Sequence, residues 1–503
     1  MRPVSADLLL GAVLVLVIFA AYLPVLDAGF IWDDDGYLTR NPLVLANDGL
    51  RRIWFTTEGK DYYPLTYTSL WLQWRLWGED PTPYHVLNVV QHALASLLLW
   101  RALAAARIPG AWICSLLFAV HPLNVESVAW IAQQKNTLAL LLFLGSTWAF
   151  TRHLDTRGPA SYWVSVGLFV LSLLAKPLAV FWPLLIPIYA AWHARGFGRR
   201  HLTASLPFLL VSAVSGVVTI AFQHAHSLGD LEVAGDGLIA RVAHAAGAWL
   251  FYLSKALAPI DLCAIYPPSA IALDRPAFWL IALAVIGVLW GLHVRRKGLA
   301  ALLAVGFYTA MLLPVSGLFA VGYLFYAPVA DHWAYAALIA VVAAVVSPAA
   351  AWVSHPRSGP HARQVGIVVT ALLALLFSIS THERSRVFRD EQTLFGDTLV
   401  RNPGSWAAHT ILGTLAFERG ELGPAESHFE KALRLEPGYW EALHGLGVVY
   451  ATRGQPARAI PLFEEVLRLR PGHTYARANL ERARDALRRR RRAGRAGSRA
   501  RSR

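Results

Sequence analysis

Long apolar runs separated by short polar loops recur along the first 380 residues, and many approach the roughly 20 residues a helix needs to cross a hydrocarbon core. The first, Leu8 to Leu26, follows Arg2 and lacks a small-x-small cleavage site, so it predicts a retained first helix. Further spans are predicted at Val86 to Ala104, Ala111 to Ile131, Leu138 to Ala149, Ser161 to Ala175, Leu178 to Trp192 and Leu202 to Phe222. The series continues with Ala243 to Pro259, Phe278 to Leu292, Leu299 to Ala320, Trp333 to Trp352 and Val365 to Ser380. Between the first two spans, Trp54, Tyr62, Tyr63, Tyr67, Trp71, Trp74 and Trp77 predict an amphipathic segment lying along the membrane interface.

Beyond Ser380 the pattern changes. Pro403, Pro437 and Pro471 are each 34 residues apart, and the units between them match: Trp406 with Trp440, Leu412-Gly413 with Leu446-Gly447, Arg419-Gly420 with Arg453-Gly454, Ala425 with Ala459, Phe429 with Phe463. A 34-residue period of this kind is a tetratricopeptide repeat. Two clear units, a third helix pair in Asp390 to Val400 and a capping helix at Thr474 to Leu487 are expected to form a short solenoid. The reading is all-α: a polytopic membrane domain over residues 1–382, with a first extracytoplasmic loop over 28–84, repeats over 383–487 and a disordered Arg-rich tail over 488–503.

Composition agrees with the membrane assignment: of 503 residues 56% are hydrophobic and 16% charged, with 19 Trp. The net charge of +14 suggests nucleic acid until it is located. Nine of those charges are arginines between Arg488 and Arg503, which leaves +5 elsewhere, and no nucleic-acid partner is expected. Cys114 and Cys263 are too few for a disulfide framework. The paired basic residues at Arg101 and Arg107, Arg152 and Arg157, Arg195 to Arg200, Arg295 to Lys297, and Arg357 and Arg363 form five loops that can all be cytoplasmic. This requires Ala243 to Pro259 to be re-entrant or a hairpin, gives about eleven full spans, and puts the repeats on the non-cytoplasmic side.

That face also receives Asp33-Asp34-Asp35, Lys135, Lys176 and Asp331. Acids beside spans either sit in solvent or mark a function. The two lysines have a competing reading as interfacial snorkelling residues. Glu126 lies in an apolar segment near His121 and Asn124. His85, Asn88 and His92, at i, i+3 and i+7, share one helix face that either lines a cavity or bonds to a neighbouring helix.

Several short motifs occur in a characteristic order: Phe30-Ile31-Trp32-Asp33-Asp34, Asn41-Pro42, Tyr63-Pro64-Leu65-Thr66, Trp77-Gly78, Tyr84-His85, His121-Pro122, Val125-Glu126-Ser127, Lys135, Ala175-Lys176 and Ala330-Asp331. Together with the repeats, the chain resembles, over nearly its whole length, the GT-C glycosyltransferases with tetratricopeptide repeats. That group is represented in animals by the TMTC protein O-mannosyltransferases. The resemblance implies transfer of a sugar, with mannose the candidate, from a polyprenyl-phosphate donor to Ser or Thr of an exported protein on the non-cytoplasmic face. By position in the family's first-loop acidic pair, Asp33 is the candidate base and Asp34 its orienting partner. Lys135 and Lys176 are the candidate contacts to the donor phosphate, since negative charge builds on the departing oxygen. His85, Asn88, His92, His121, Glu126 and Asp331 are candidates to line the cavity. At Asp331-His332 the family pattern leads one to expect a base followed by a Tyr-rich stretch; Trp333 and Tyr335 stand there instead, and His332 receives no role.

The lipid-linked sugar is expected as co-substrate, membrane lipid as surroundings, and the repeats as the holder of an exported protein or peptide acceptor. Asp33, Asp34 and nearby histidines leave a divalent metal open, although no motif has metal-ligand spacing. Residence in a bacterial inner membrane is the expected localisation. Two other readings compete: a glycolipid or envelope-polysaccharide transferase, and a non-catalytic membrane scaffold that binds protein through its repeats.

Overall fold

In the computed structural model, the described residues are 4–196, 198–228, 237–271, 298–319 and 321–501; they are helical and turn-like throughout, with no strand among them. The predicted span Phe278 to Leu292 and the basic loop Arg295 to Lys297 lie outside these residues. The chain divides into two compact units, Met1–Asp390 and Glu391–Arg503.

The first unit runs α1 (Val4–Ala21), α2 (Pro64–Trp77), α3 (Thr82–Ala105), α4 (Ala111–Ala119), α5 (Val125–Ala129), α6 (Gln134–Thr156), α7 (Pro159–Ala175), α8 (Ile186–Ala194), α9 (Leu206–Phe222), α10 (Leu238–Leu257), α11 (Gly298–Leu312), α12 (Leu338–Val353) and α13 (Gly359–Val387). Antiparallel α6 and α7 form its central hairpin, with α3 against α6. Five described helical segments are long and apolar enough to cross a membrane: Val4–Ala21, Thr82–Ala105, Arg199–Ala225, Gly298–Val315 and Pro356–Val387. The bent pair Ala111–Ala119 and Pro122–Ala129 makes a sixth if counted as one span. Leu9 is 65% exposed, Leu210 67% and Ile367 69%. Bare aliphatic faces of this extent belong against lipid rather than water. The stretch Ala243 to Pro259, expected to be re-entrant or a hairpin, instead lies as far as Leu257 in the continuous helix α10, whose last turn closes on Ser254 through the Ala258 N–H.

The 56° break between α4 and α5 is the feature that shapes the interior. Pro122 cannot continue the helical ladder, so carbonyls at the end of α4 lose their helical donors. Side chains replace them. Asn124 Nδ2 donates to Phe118 O at 2.6 Å, a His92 ring nitrogen lies 2.8 Å from Ala119 O, and Thr381 Oγ1 donates to Val120 O at 2.8 Å. The chain can then turn inward and bury a polar run from Asn124 to Thr137.

The loop after α1 is folded. Asn41 caps the short helix Pro42–Leu45 by accepting from Leu43 N, and α2 packs on it through Trp71 Nε1 to Ala46 O at 2.9 Å. A Cβ at Gly49 would stand 1.9 Å from Leu43 O and 2.8 Å from Trp71, so only glycine permits this approach.

In the second unit, α14 (Glu391–Arg401) precedes two helix pairs, α15 (Trp406–Glu418) with α16 (Leu422–Leu435) and α17 (Trp440–Thr452) with α18 (Pro456–Leu469), and α19 (Thr474–Arg501) closes the array. Phe429 and Phe463 fill the seams; a Cβ on Gly447 would stand 2.7 Å from the Phe463 ring. Three expectations change here. The division between units falls after Asp390, because α13 runs to Val387 and Arg389 O still accepts Gly29 N at 2.9 Å. Asp390 to Val400 contributes one helix, not a pair. The tail expected to be disordered continues α19 as helix to Arg501, in keeping with the high helix propensity of Arg and Ala.

Candidate functional site

Trp32, Asp33 and Asp34 form the turn that leads out of α1. Trp32 has φ 47, a left-handed backbone that costs an aromatic residue roughly 1–2 kcal/mol. Packing holds it there: its ring stacks on Trp130 with centroids 5.1 Å apart and planes 5° apart, and Tyr323 and Tyr326 stand 5.9 and 6.1 Å away.

The two adjacent carboxylates have opposite surroundings. Asp34 is fully buried, and its oxygens accept from Ile31 N at 2.8 Å and from Ala132 N at 2.7 Å. It pins the first loop to the irregular segment before α6. Burial, opposed by those two N–H donors, pushes its carboxyl up to about 8. Asp33 is half-buried and its side chain makes no hydrogen bond to another described residue. Of the charges acting on Lys135, Asp33 is the strongest, followed by Asp61 and Asp34.

The two lysines come from different elements. Lys135 lies in the first turn of α6 and is 6% exposed, with Nζ 3.8 Å from the centroid of the Tyr37 ring. Lys176 follows α7 in an extended conformation, and its Nζ donates to Asn136 Oδ1 at 2.7 Å. Neither forms an ion pair among the described residues. Burial, and Lys135 after it, bring the Lys176 ammonium down to about 7. The two ammonium groups are close enough to affect each other, and among the described residues no carboxylate forms an ion pair with either.

Asn136 links this pair to a deeper one. Its Nδ2 lies 3.0 Å from Gln133 Oε1 and 3.3 Å from both Ser127 Oγ and His332 O. Glu126 is 2% exposed and has both oxygens occupied, by His332 N and His332 Nδ1, each at 3.0 Å. Asp331 beside it accepts from Tyr266 OH at 2.8 Å, and burial together with Glu126 raises its carboxyl to about 7.

Of the residues expected to line a cavity, the α3 stripe has other work. His92 uses one ring nitrogen on Tyr335 OH at 2.7 Å and the other on Ala119 O. His121 lies 3.1 Å from Ala256 O and accepts from Leu123 N. Asn88 donates to Trp130 O at 3.2 Å, and His85 lies 3.4 Å from Gly29 O. All four are fully buried in helix packing, which corrects the cavity reading for them: His85, Asn88 and His92 bond to carbonyls at the breaks around Gly29, Trp130 and Ala119, and His121 to Ala256 O at the end of α10. Glu126 and Asp331 do join the polar interior around Lys176.

The sequence reading missed His332, the partner of Glu126, and also Asn136, Tyr37 and Asp61. His332 stands where the motif departs from the family pattern, so only its neighbour Asp331 carries a sequence signal. The others are ordinary polar residues whose spacing carries no signal. Among the described residues, no group of three or more His, Cys, Asp or Glu side chains gathers to hold a metal ion.

A tetratricopeptide repeat profile matches residues 412–474. Over 446 residues the chain is 24% identical to protein O-mannosyl-transferase F38B6.6 of Caenorhabditis elegans, covering 82% of this chain and 61% of that protein. It is 33% identical over 151 residues to protein O-mannosyl-transferase TMTC2 of Mus musculus, covering 28% of this chain and 18% of that protein. With human protein O-mannosyl-transferase TMTC3 it shares 25% identity over 234 residues, 41% and 25% of the two chains. The chain spans less than two thirds of the length of these relatives.

Proposed function

We propose that this homologue of the TMTC protein O-mannosyl-transferases is itself a membrane protein O-mannosyltransferase that uses a polyprenyl-phosphate-linked mannose. One observation carries the reading: Asp33, a half-buried carboxylate whose side chain makes no hydrogen bond to another described residue, is the strongest charge acting on Lys135, one of two neighbouring lysines that form no ion pair among the described residues. Transfer needs a proton acceptor and a stabilised leaving group, and those two features supply them.

In the proposed reaction a Ser or Thr Oγ attacks the anomeric carbon of mannose. The bond from that carbon to the phosphate oxygen breaks, the hydroxyl proton passes to Asp33, and polyprenyl phosphate leaves with an additional negative charge. Lys135 and Lys176 stabilise that charge in a desolvated setting where it counts most. A positioned base contributes about 10²- to 10⁴-fold. Asp34 fixes the turn that aims Asp33. The repeats, as a solenoid, would hold an extended segment of exported protein on the non-cytoplasmic side.

The test is transfer of mannose from polyprenyl-phosphate mannose to a Ser/Thr-rich peptide by the purified full-length protein. Wild type should form O-mannosyl peptide, and Asp33→Asn should lose at least about 100-fold in rate. Equal rates for the two would remove Asp33 from the reaction; transfer only to lipid acceptors would overturn the protein O-mannosylation reading.

A further inference from the structure

Lys135 is attached by a four-carbon stem, so something must fix where its ammonium sits. Among the described residues no carboxylate forms an ion pair with it. The seat is the face of Tyr37, 3.8 Å from Nζ. Tyr37 is itself held twice: its ring stacks on Tyr67, centroids 5.7 Å apart and planes 13° apart, and its hydroxyl donates to Asp61 Oδ2 at 2.6 Å. The other oxygen of Asp61 accepts Gln223 Nε2 at 2.7 Å, from the residue that ends α9. Asp61 therefore ties the first loop to a distant span and orients the ring under Lys135.

We propose that Asp61, through its hydrogen bond to Tyr37, is the positioning residue that seats Lys135 for the phosphate of a lipid-linked substrate. This rests on the reading of Lys135 as a phosphate contact. A phenol that donates to a carboxylate carries more electron density in its ring, and a desolvated ring face holds a cation more firmly. The arrangement anchors the ammonium without an ion pair, which would compete with the phosphate. Asp61 is also the carboxylate that acts on both lysines: Asp33 is the strongest charge on Lys135 and Glu126 acts on Lys176, while Asp61 acts on each of them.

The test measures binding of a polyprenyl monophosphate to the purified full-length protein, with wild type, Lys135→Gln, Tyr37→Phe, Asp61→Asn and the double variant Tyr37→Phe/Asp61→Asn compared. Tyr37→Phe keeps the ring and its packing, so it separates loss of the hydroxyl from loss of fold. Lys135→Gln should weaken binding more than tenfold, and each of the other single variants three- to tenfold. The double variant should bind within twofold of the weaker single variant, because both changes break one link. In the transfer assay Tyr37→Phe should raise KM for the lipid donor and lower kcat/KM by at least the three- to tenfold seen in binding, since the same ammonium also stabilises the departing phosphate. If Lys135→Gln weakens binding but Tyr37→Phe and Asp61→Asn bind like wild type, or if their effects simply multiply, the role given to Asp61 is overturned. If Lys135→Gln itself binds like wild type, the phosphate reading of Lys135 falls, and this one with it.

Discussion

Lys176 should make donor binding pH-dependent in a range where a lysine ordinarily has no effect. Buried beside Lys135, its ammonium is brought down from 10.5 to about 7, against the pull of Asp61 and Glu126. A group of that kind is mostly charged at pH 6 and only about one eleventh charged at pH 8. A sugar-phosphate lipid is a phosphodiester whose single negative charge does not titrate here. If the charged lysine is the form that binds, affinity for polyprenyl-phosphate mannose should fall about tenfold between pH 6 and pH 8, about 1.4 kcal/mol. Asp34, with a carboxyl raised to about 8, loses its proton over an overlapping range and contributes a change of the same sign. Lys176→Arg separates the two, because arginine stays charged throughout. The assay is equilibrium binding of the donor from pH 6 to 8.5 for wild type, Lys176→Arg and Lys176→Gln. Wild type should weaken with rising pH, the arginine variant should show a much flatter profile, and the glutamine variant should be weak throughout. A flat wild-type profile, or an undiminished slope in Lys176→Arg, would refute the reasoning.

The neighbouring aspartates should separate cleanly. Asp33→Asn should leave thermal stability within about 0.5 kcal/mol, since its side chain bonds to no described residue, while transfer collapses. Asp34→Asn sets an amide N–H against one of two backbone donors and should cost about 1–3 kcal/mol, read as a lowered melting midpoint along with lost activity. Thr381→Val strips the donor from Val120 O at the α4 to α5 break; the expected loss is about 1–2 kcal/mol, visible as faster hydrogen exchange in that segment. In the repeats, Gly447→Ala drives a Cβ to within 2.7 Å of Phe463 and should destabilise residues 391–503 by about 1–3 kcal/mol in a thermal melt.

Much of the architecture was legible because it depends on local pattern. The repeat period survives any tertiary detail, and Trp406, Gly413 and Phe429 recur in register with Trp440, Gly447 and Phe463. The apolar runs of α1, α3, α9, α11 and α13 were equally clear. The α3 stripe was less so: spacing shows that His85, Asn88 and His92 share a face, yet a face toward a cavity and a face toward a neighbouring backbone have the same period. The bonds from His92 to Ala119 O and from Asn88 to Trp130 O decide between them. The tail misled for a related reason. High charge argues for solvation, but Arg and Ala are also good helix formers, and α19 continues into them.

By itself, then, the sequence determines that this is a helical membrane chain with an attached repeat array and an acidic turn after its first span. Hydropathy and period are properties of consecutive residues, and solvent and backbone geometry act on them directly. The tertiary structure alone decides what each acid and base does. Asp33 and Asp34 are chemically identical neighbours; the carboxylate of one bonds to no other described residue and that of the other is spent on Ile31 N and Ala132 N, the latter from a segment 98 residues away. Pairings such as Glu126 with His332 and Tyr37 with Asp61 leave no periodic trace, because they join elements that meet only once the helices are packed.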